Sequence, residues 1–179
     1  INGLKIKTIS TQQQLNEFEQ ANINEALKWL NSKRKIKVVL SEEFMIQLHK
    51  RMLGMVWKWA GQFRRTETNI GIDWTRISME LRLLVDDANF WVEHQTYLPE
   101  EIAIRFKHRL VSIHCFPNGN GRHSRIMADL IALHVFGLNK FSWGNSSLVD
   151  SSEQRKMYLK ALQLADNGDF SQLIKFARS

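Results

Sequence analysis

Cysteine is nearly absent, with Cys115 the only one in 179 residues. A single thiol excludes an internal disulfide and any cysteine-based metal cluster, and points to a reducing, cytoplasmic setting. Two prolines and nine glycines, without an internal repeat or low-complexity tract, exclude the fibrous and disordered classes. No apolar run approaches the ~20 residues needed to span a bilayer, and nothing like a signal peptide precedes the first polar helix, so no membrane partner is expected. The chain opens on Ile1 rather than methionine, so residues upstream are expected to have been trimmed or left out. Six histidines (49, 94, 108, 114, 123 and 134) contain no His-x-x-x-His pair, which argues against a zinc hydrolase.

What is present is an ordinary globular composition, 44% hydrophobic and 24% charged, in a length that fits one domain. The formal net charge of +7 suits an anionic partner, whether nucleotide phosphates, an acidic protein surface or nucleic acid. Nucleic acid is the weaker reading. The basic clusters Lys33-Arg34-Lys35-Ile36-Lys37 and Arg64-Arg65 are not interleaved with aromatics and sit on no recognition helix. The six tryptophans and six methionines are scattered along the chain and read as packing residues.

Helical periodicity covers most of the sequence. Gln12 to about Asn31 carries Leu15, Phe18, Ile23, Leu27 and Leu30 at turn spacing. Ser41 can cap a second helix that runs to about Val56, with Glu42 and Glu43 in its first turn. Residues 61–73 lack a helical stripe and carry β-formers around a polar middle, so a short hairpin is expected there. Helices follow over Ile77 to about Glu93, from Pro99 to His114, and from about Gly121 to Phe136, where Gly137 stops the last of these. Asp150 and Glu153 form a capping box for a helix through Leu164, Gly168 closes it, and Asp169 caps a terminal helix. The expected fold is all-α, a helical bundle bearing one small β-hairpin.

The chemistry concentrates in His114-Cys115-Phe116-Pro117-Asn118-Gly119-Asn120-Gly121-Arg122-His123-Ser124-Arg125. Glycines at the start of a helix let the chain turn and let a ligand approach the amides closely. Unpaired N–H groups and the helix dipole make an anion site there. Arg122 and Arg125, three apart on the first turn, share a face and can grip a polyphosphate. His114, at the mouth of the loop, suits a general base near neutral pH. Phe116 anchors the loop and Pro117 stiffens it. No Gly-Lys-Ser/Thr follows the glycines, so this is not a Walker loop, and no βαβ pattern surrounds it.

This segment resembles the Fic-domain motif His-x-Phe-x-(Asp/Glu)-Gly-Asn-Gly-Arg-x-x-Arg, fitting eleven of twelve positions when the free ones are counted. Trp57-Lys58-Trp59-Ala60-Gly61 with Phe63-Arg64 resembles the family's lead into its target-binding flap. Tyr158-Leu159-Lys160-Ala161-Leu162 with Gly168-Asp169 resembles its nucleotide-side C-terminal helix. The closest subgroup by resemblance is mobile mystery protein B, small bacterial Fic proteins of mobile elements.

The resemblance implies one Fic domain over 1–179, with 1–37 as an N-terminal helix and linker of regulatory potential and 38–179 as catalytic core. It implies a protein adenylyltransferase using ATP and Mg²⁺ (or Mn²⁺), with His114 deprotonating a Ser, Thr or Tyr hydroxyl of a protein target. Gly119, Asn120, Gly121 and Arg122 would hold the phosphates, and Arg125 would neutralise the γ-phosphate. Phe63, Arg64, Thr66, Thr68, Asn69 and Ile70 would form the flap, with Leu159 and Asp166 on the adenine side. Asn118 stands where the family has a metal-binding Asp or Glu, so weaker Mg²⁺ affinity is expected. Gly121 separates the chain from the kinase-like branch, which carries lysine there. Many Fic proteins are restrained by a helix glutamate that pairs with the second motif arginine. The best sequence match is Glu25, in Ala21-Asn22-Ile23-Asn24-Glu25-Ala26. An antitoxin-like or helix-turn-helix partner is a further implication. A nucleotide-binding scaffold without transfer activity, or use of another phosphate donor, are the alternatives.

Overall fold

A computed structural model describes residues 3–33, 36, 38–144 and 151–179. Helix α1 spans Gln12–Asn31, α2 Glu42–Leu53, α3 Ile77–Glu93, α4 Pro99–Ile113, α5 Asn120–Leu130, α6 Ser151–Asp166 and α7 Ser171–Arg178. Helix starts follow local chemistry. Thr11 and Gln14 cap α1 reciprocally, and Ser41 accepts the Phe44 N–H at 3.2 Å to start α2. Pro99 opens α4 at a position where no N–H is needed. Asp169 accepts the Ser171 N–H at 2.9 Å ahead of α7. The Asp150 side of the expected capping box lies outside the described residues.

Helix α4 is the centre of the bundle. Ile102, Ala103, Ile104, Phe106, Lys107, Leu110 and Ile113 are all buried, so it is enclosed nearly all round, by α3, α5 and α7 among others. Burying a side chain such as Phe106 contributes ~2 kcal/mol or more. On the opposite side of the site α1 packs along α2, where the Asn22 amide donates to the Arg51 carbonyl at 2.7 Å and accepts the Met55 N–H at 2.8 Å. The expected helix to Phe136 instead changes character after Leu130, where Ile131–Val135 form a π-helical turn, ending as expected at Gly137.

The expected hairpin over 61–73 does not form. Among the described residues the β-bridge present is Leu4–Trp57, outside this segment. The reason lies in Arg64. Its guanidinium binds the carbonyls of Thr66 and Ile72, and its own N–H donates to Cys115 O at 2.9 Å. The Ile72 N–H likewise donates to Ile113 O. Backbone groups that would pair across a hairpin are engaged by an arginine and by the end of α4.

Candidate functional site

The motif loop lies between the end of α4 and the start of α5. His114 caps α4 in the left-handed region (φ 56°, ψ 59°), a conformation costing a non-glycine residue of order 1–3 kcal/mol, so the surroundings hold it there. Its Nδ1 is buried without a hydrogen-bond partner. Burial first, and then the nearby Arg64 guanidinium, push its pKa below the ordinary histidine value. The Val111 carbonyl opposes them without closing a hydrogen bond to Nδ1. The ring is therefore held neutral near pH 7, the state a general base requires.

Gly119 follows at φ 80°, where a Cβ would also lie 2.6 Å from Leu53 Cδ1, so only glycine fits. Helix α5 has no side-chain cap, and its first backbone bond runs from His123 N to Gly119 O at 2.9 Å. The amides of Asn120, Gly121 and Arg122 therefore emerge without an acceptor at the positive end of an eleven-residue helix. Gly121 is exposed and faces open space. These three amides are the free donors that an anion at this helix start would meet.

The structure separates roles that the sequence merged. The Asn120 side chain turns inward, accepting Phe116 N–H at 2.9 Å and donating to Phe116 O at 2.7 Å, so its offer to a ligand is its backbone amide. Asn118 Oδ1 accepts the Gly119 N–H at 2.7 Å, which engages both the expected metal oxygen and one expected phosphate donor. Arg122 and Arg125 do not converge. Arg122 forms an ion pair with Glu19 of α1 at 2.8 Å, whereas Arg125 lies over the rings of Tyr158 and Trp143. Among the described residues no carboxylate pairs with Arg125.

Glu19 is a residue the sequence reading missed. It is 4% exposed, and its second oxygen accepts the Trp57 indole N–H at 2.7 Å. Glu25, the glutamate expected to pair with the second motif arginine, instead sits on the exposed face of α1 and pairs with Lys28 at 2.6 Å. The signal was available: Leu15, Glu19, Asn22, Ala26 and Leu30 form one buried stripe at helical spacing, and Glu25 lies off it.

Two buried histidines, also missed, fix the loop. His49 Nδ1 accepts Gly61 N–H at 2.9 Å, so its Nε2 carries the proton and donates to Asn118 O at 3.0 Å. Its ring stacks on Phe116 with centroids 3.7 Å apart. His123 Nε2 donates to Met45 O at 2.9 Å. Burial holds their pKa values down, to about 4 for His49 and about 3 for His123. Both fold neutral, whereas the unfolded chain protonates them below pH ~6.5. Their contribution is complete above that pH and is lost as pH falls toward 4, by up to about 1.4 kcal/mol per pH step for each ring. Asp129, pushed up to about 6 by burial, acts in the opposite sense and offsets part of this. The melting temperature is expected to fall steadily from pH 7 to pH 4.5, and a flat profile in thermal unfolding would contradict the assignment.

Of the flap residues, Phe63 packs on Phe116 and Arg64 is buried, while Thr66, Thr68, Asn69 and Ile70 are exposed. On the expected adenine side, Leu159 is exposed on α6, and Asp166 pairs with His108 at 2.8 Å. Tyr158, beside Leu159, is the α6 residue that reaches the site, through Arg125 and through Lys107 Nζ at 2.5 Å.

The chain is similar to known proteins in sequence and in fold. The chain is 29% identical over 155 residues to "Protein adenylyltransferase Fic" of Drosophila melanogaster, a match covering 84% of this chain and 30% of that protein. The chain thus spans about a third of the length of the curated relatives it matches. The fold is similar to Fic-1 (residues 134–508) from C. elegans, with a TM-score of 0.69 and 23% identity over 97% of this chain and 50% of that one. It is also similar to the N-terminal FIC domain of Bep8 from Bartonella sp. 1-1C, with a TM-score of 0.76 and 16% identity over 100% and 92% of the two chains. BepC of Bartonella tribocorum, solved with bound AMPPNP, gives a TM-score of 0.72 at 17% identity over 99% and 91%. The Fic/DOC family model matches residues 39–132, just over half of the chain, and these include the whole of the loop. The loop geometry, the helical frame and the family match lead to one conclusion: the chain belongs to the Fic/DOC family.

Proposed function

We propose that the chain is a protein adenylyltransferase that transfers AMP from ATP to a Ser, Thr or Tyr hydroxyl. The observation that carries this reading is the neutral, backbone-clamped His114 next to the uncapped amides of Asn120, Gly121 and Arg122. His114 takes the hydroxyl proton, the oxygen attacks the α-phosphorus, and the bond to the β-phosphate oxygen breaks to release pyrophosphate. The helix start and the arginines stabilise charge on the phosphates, so catalysis rests on positioning and electrostatics. Arg125, which lies over the Tyr158 and Trp143 rings, would meet the γ-phosphate end. A target segment would settle in the cleft of about 450 Å³ lined by Gln62, Phe63, Arg64, Arg65, Trp74 and Thr75, beside the flap. Strand-like pairing of the target with the exposed flap backbone would add to this.

Glu19 restrains the site in this reading by holding Arg122, so residues 1–37 serve as an inhibitory segment on the core at 38–179. Because this restraint lies within the chain, it does not require an antitoxin-like partner. A cytoplasmic setting rests on the single cysteine, which leaves no internal disulfide to form. Assignment to the mobile mystery protein B subgroup rests on the sequence resemblance.

The family implies Mg²⁺, but the residues present do not make a cation site by themselves. Asn118 supplies one neutral oxygen already bonded to Gly119, and no group of three His, Cys, Asp or Glu ligands occurs among the described residues. Asn118→Asp is expected to tighten Mn²⁺ binding in the presence of ATP about tenfold in calorimetry, roughly 1.4 kcal/mol. Unchanged affinity would contradict the view that the missing charge limits the metal.

Mass spectrometry after incubation with ATP tests the function. A nucleotidyl adduct on a hydroxyl residue is expected. Unmodified protein that nevertheless binds ATP would favour the nucleotide-binding scaffold.

A further inference from the structure

The reading of His114 as the base leaves open what keeps it in a left-handed conformation at a helix end. Three successive carbonyls there, of Ile113, His114 and Cys115, have no helical partner. All three are met by one residue of the flap. Arg64 Nε donates to His114 O at 2.7 Å, Nη2 reaches Ile113 O at 3.4 Å, and the Arg64 backbone N–H donates to Cys115 O at 2.9 Å. The rest of the guanidinium closes the flap on itself, through Thr66 O at 2.9 Å and Ile72 O. Every one of these partners is a carbonyl. The cation is 3% exposed and sits at the negative end of α4, where a positive charge is favoured.

Gly71 completes the arrangement. At φ 107° it brings the far end of the flap so close that a Cβ there would lie 2.6 Å from His114 Cβ and 2.8 Å from Arg64 Nη2. The flap thus closes over the base at both ends, with glycine at one contact and arginine at the other.

We infer that Arg64 is a positioning residue for His114, a buried cationic cap that holds the base in its left-handed conformation and ties that conformation to the flap. It touches no reacting atom in this role. Arg64 is also the charged group that acts on the His114 ring, with the Val111 carbonyl facing the ring from α4. A lysine keeps the charge but has no planar fork to reach the Ile113, His114, Thr66 and Ile72 carbonyls at once. The basic pair Arg64-Arg65 therefore splits, with Arg64 an internal clamp and Arg65 exposed.

This inference rests on His114 being the base, and its test separates the two claims. Arg64→Ala, Arg64→Lys and Gly71→Ala are compared with the wild-type chain by NMR titration of the His114 ring, by ATP calorimetry and by transfer from labelled ATP. Arg64→Ala is expected to raise the His114 pKa and shift its ring resonances. Arg64→Lys is expected to keep the pKa low yet still shift the resonances. Both should reduce transfer at saturating ATP at least tenfold, while ATP affinity stays within about twofold. If Arg64→Ala does not fold, Arg64→Lys and Gly71→Ala decide the matter, since each keeps a side chain or charge that Ala removes. Unshifted His114 resonances in Arg64→Lys and Gly71→Ala, with transfer within twofold of wild type, would overturn the inference. Should the wild-type chain transfer nothing, the NMR shifts alone uphold the positioning role and the failure belongs to the transferase reading.

Discussion

Replacing His114 by alanine is expected to cut transfer from ATP by on the order of 10²–10⁴-fold, the range typical of a lost general base. ATP binding should survive nearly intact, because the proposed phosphate contacts are the α5 amides and the arginines rather than the imidazole. Folding should survive too. The ring's Nδ1 has no hydrogen bond to lose, and alanine removes side-chain bulk from a residue that is only partly buried. Calorimetry for ATP alongside mass spectrometry of the product separates the two effects. Equal loss of binding and transfer would show that His114 is a structural or ligand-binding residue instead. Residual transfer near the wild-type rate would place the base elsewhere.

The second large effect concerns Glu19. Its carboxylate holds both the Trp57 indole and the Arg122 guanidinium. Glu19→Gln keeps an oxygen for Trp57 and removes the charge that draws Arg122 away from the α5 amides. ATP affinity is expected to rise on the order of tenfold, within the usual range for coupling between two sites, and auto-modification should rise with it. Glu25→Gly is the matched control, and no change is expected because Glu25 pairs with Lys28 at the surface. If Glu19→Gln weakens ATP binding, Glu19 orients Arg122 for the nucleotide rather than restraining it. The pair is half exposed on the arginine side, so the stability cost of breaking it should be modest.

Much of this was legible in the residues. The caps at Ser41 and Pro99, the stop at Gly137 and the motif from His114 to Arg125 each announce a local physical constraint, and the structure places each as local chemistry requires. The abrupt start of α5 after the loop was readable because two glycines interrupt the helical pattern there. Long-range partners were less visible. Arg64 looks like half of a solvated basic pair until its carbonyl partners fifty residues away are known. The same distance hides the failure of the hairpin, since β-formers around a polar middle say nothing about an arginine that takes up their carbonyls. Glu19 and His49 could have been found, because each is a polar residue inside a buried helical stripe, a position that calls for a partner. His123 occupies a free position of the motif, yet it is fully enclosed and ties α5 to α2 through Met45.

These placements share one logic. In the proposed reading the bundle supplies a helix end for the base and a helix start for the phosphates, and buried polar side chains from three other segments hold them. His49 of α2 and Arg64 of the flap bind the loop, while Glu19 of α1 binds Arg122 on α5. The measurement that bears most directly on this account is transfer of label to protein from ATP labelled at the α- or at the γ-phosphate, in the wild-type, Glu19→Gln and His114→Ala chains. The account expects the α-label to be incorporated by the wild-type chain, more strongly by Glu19→Gln and not by His114→Ala, with no γ-label in any of them. Incorporation of the γ-label, or α-labelling that survives the loss of His114, would contradict it.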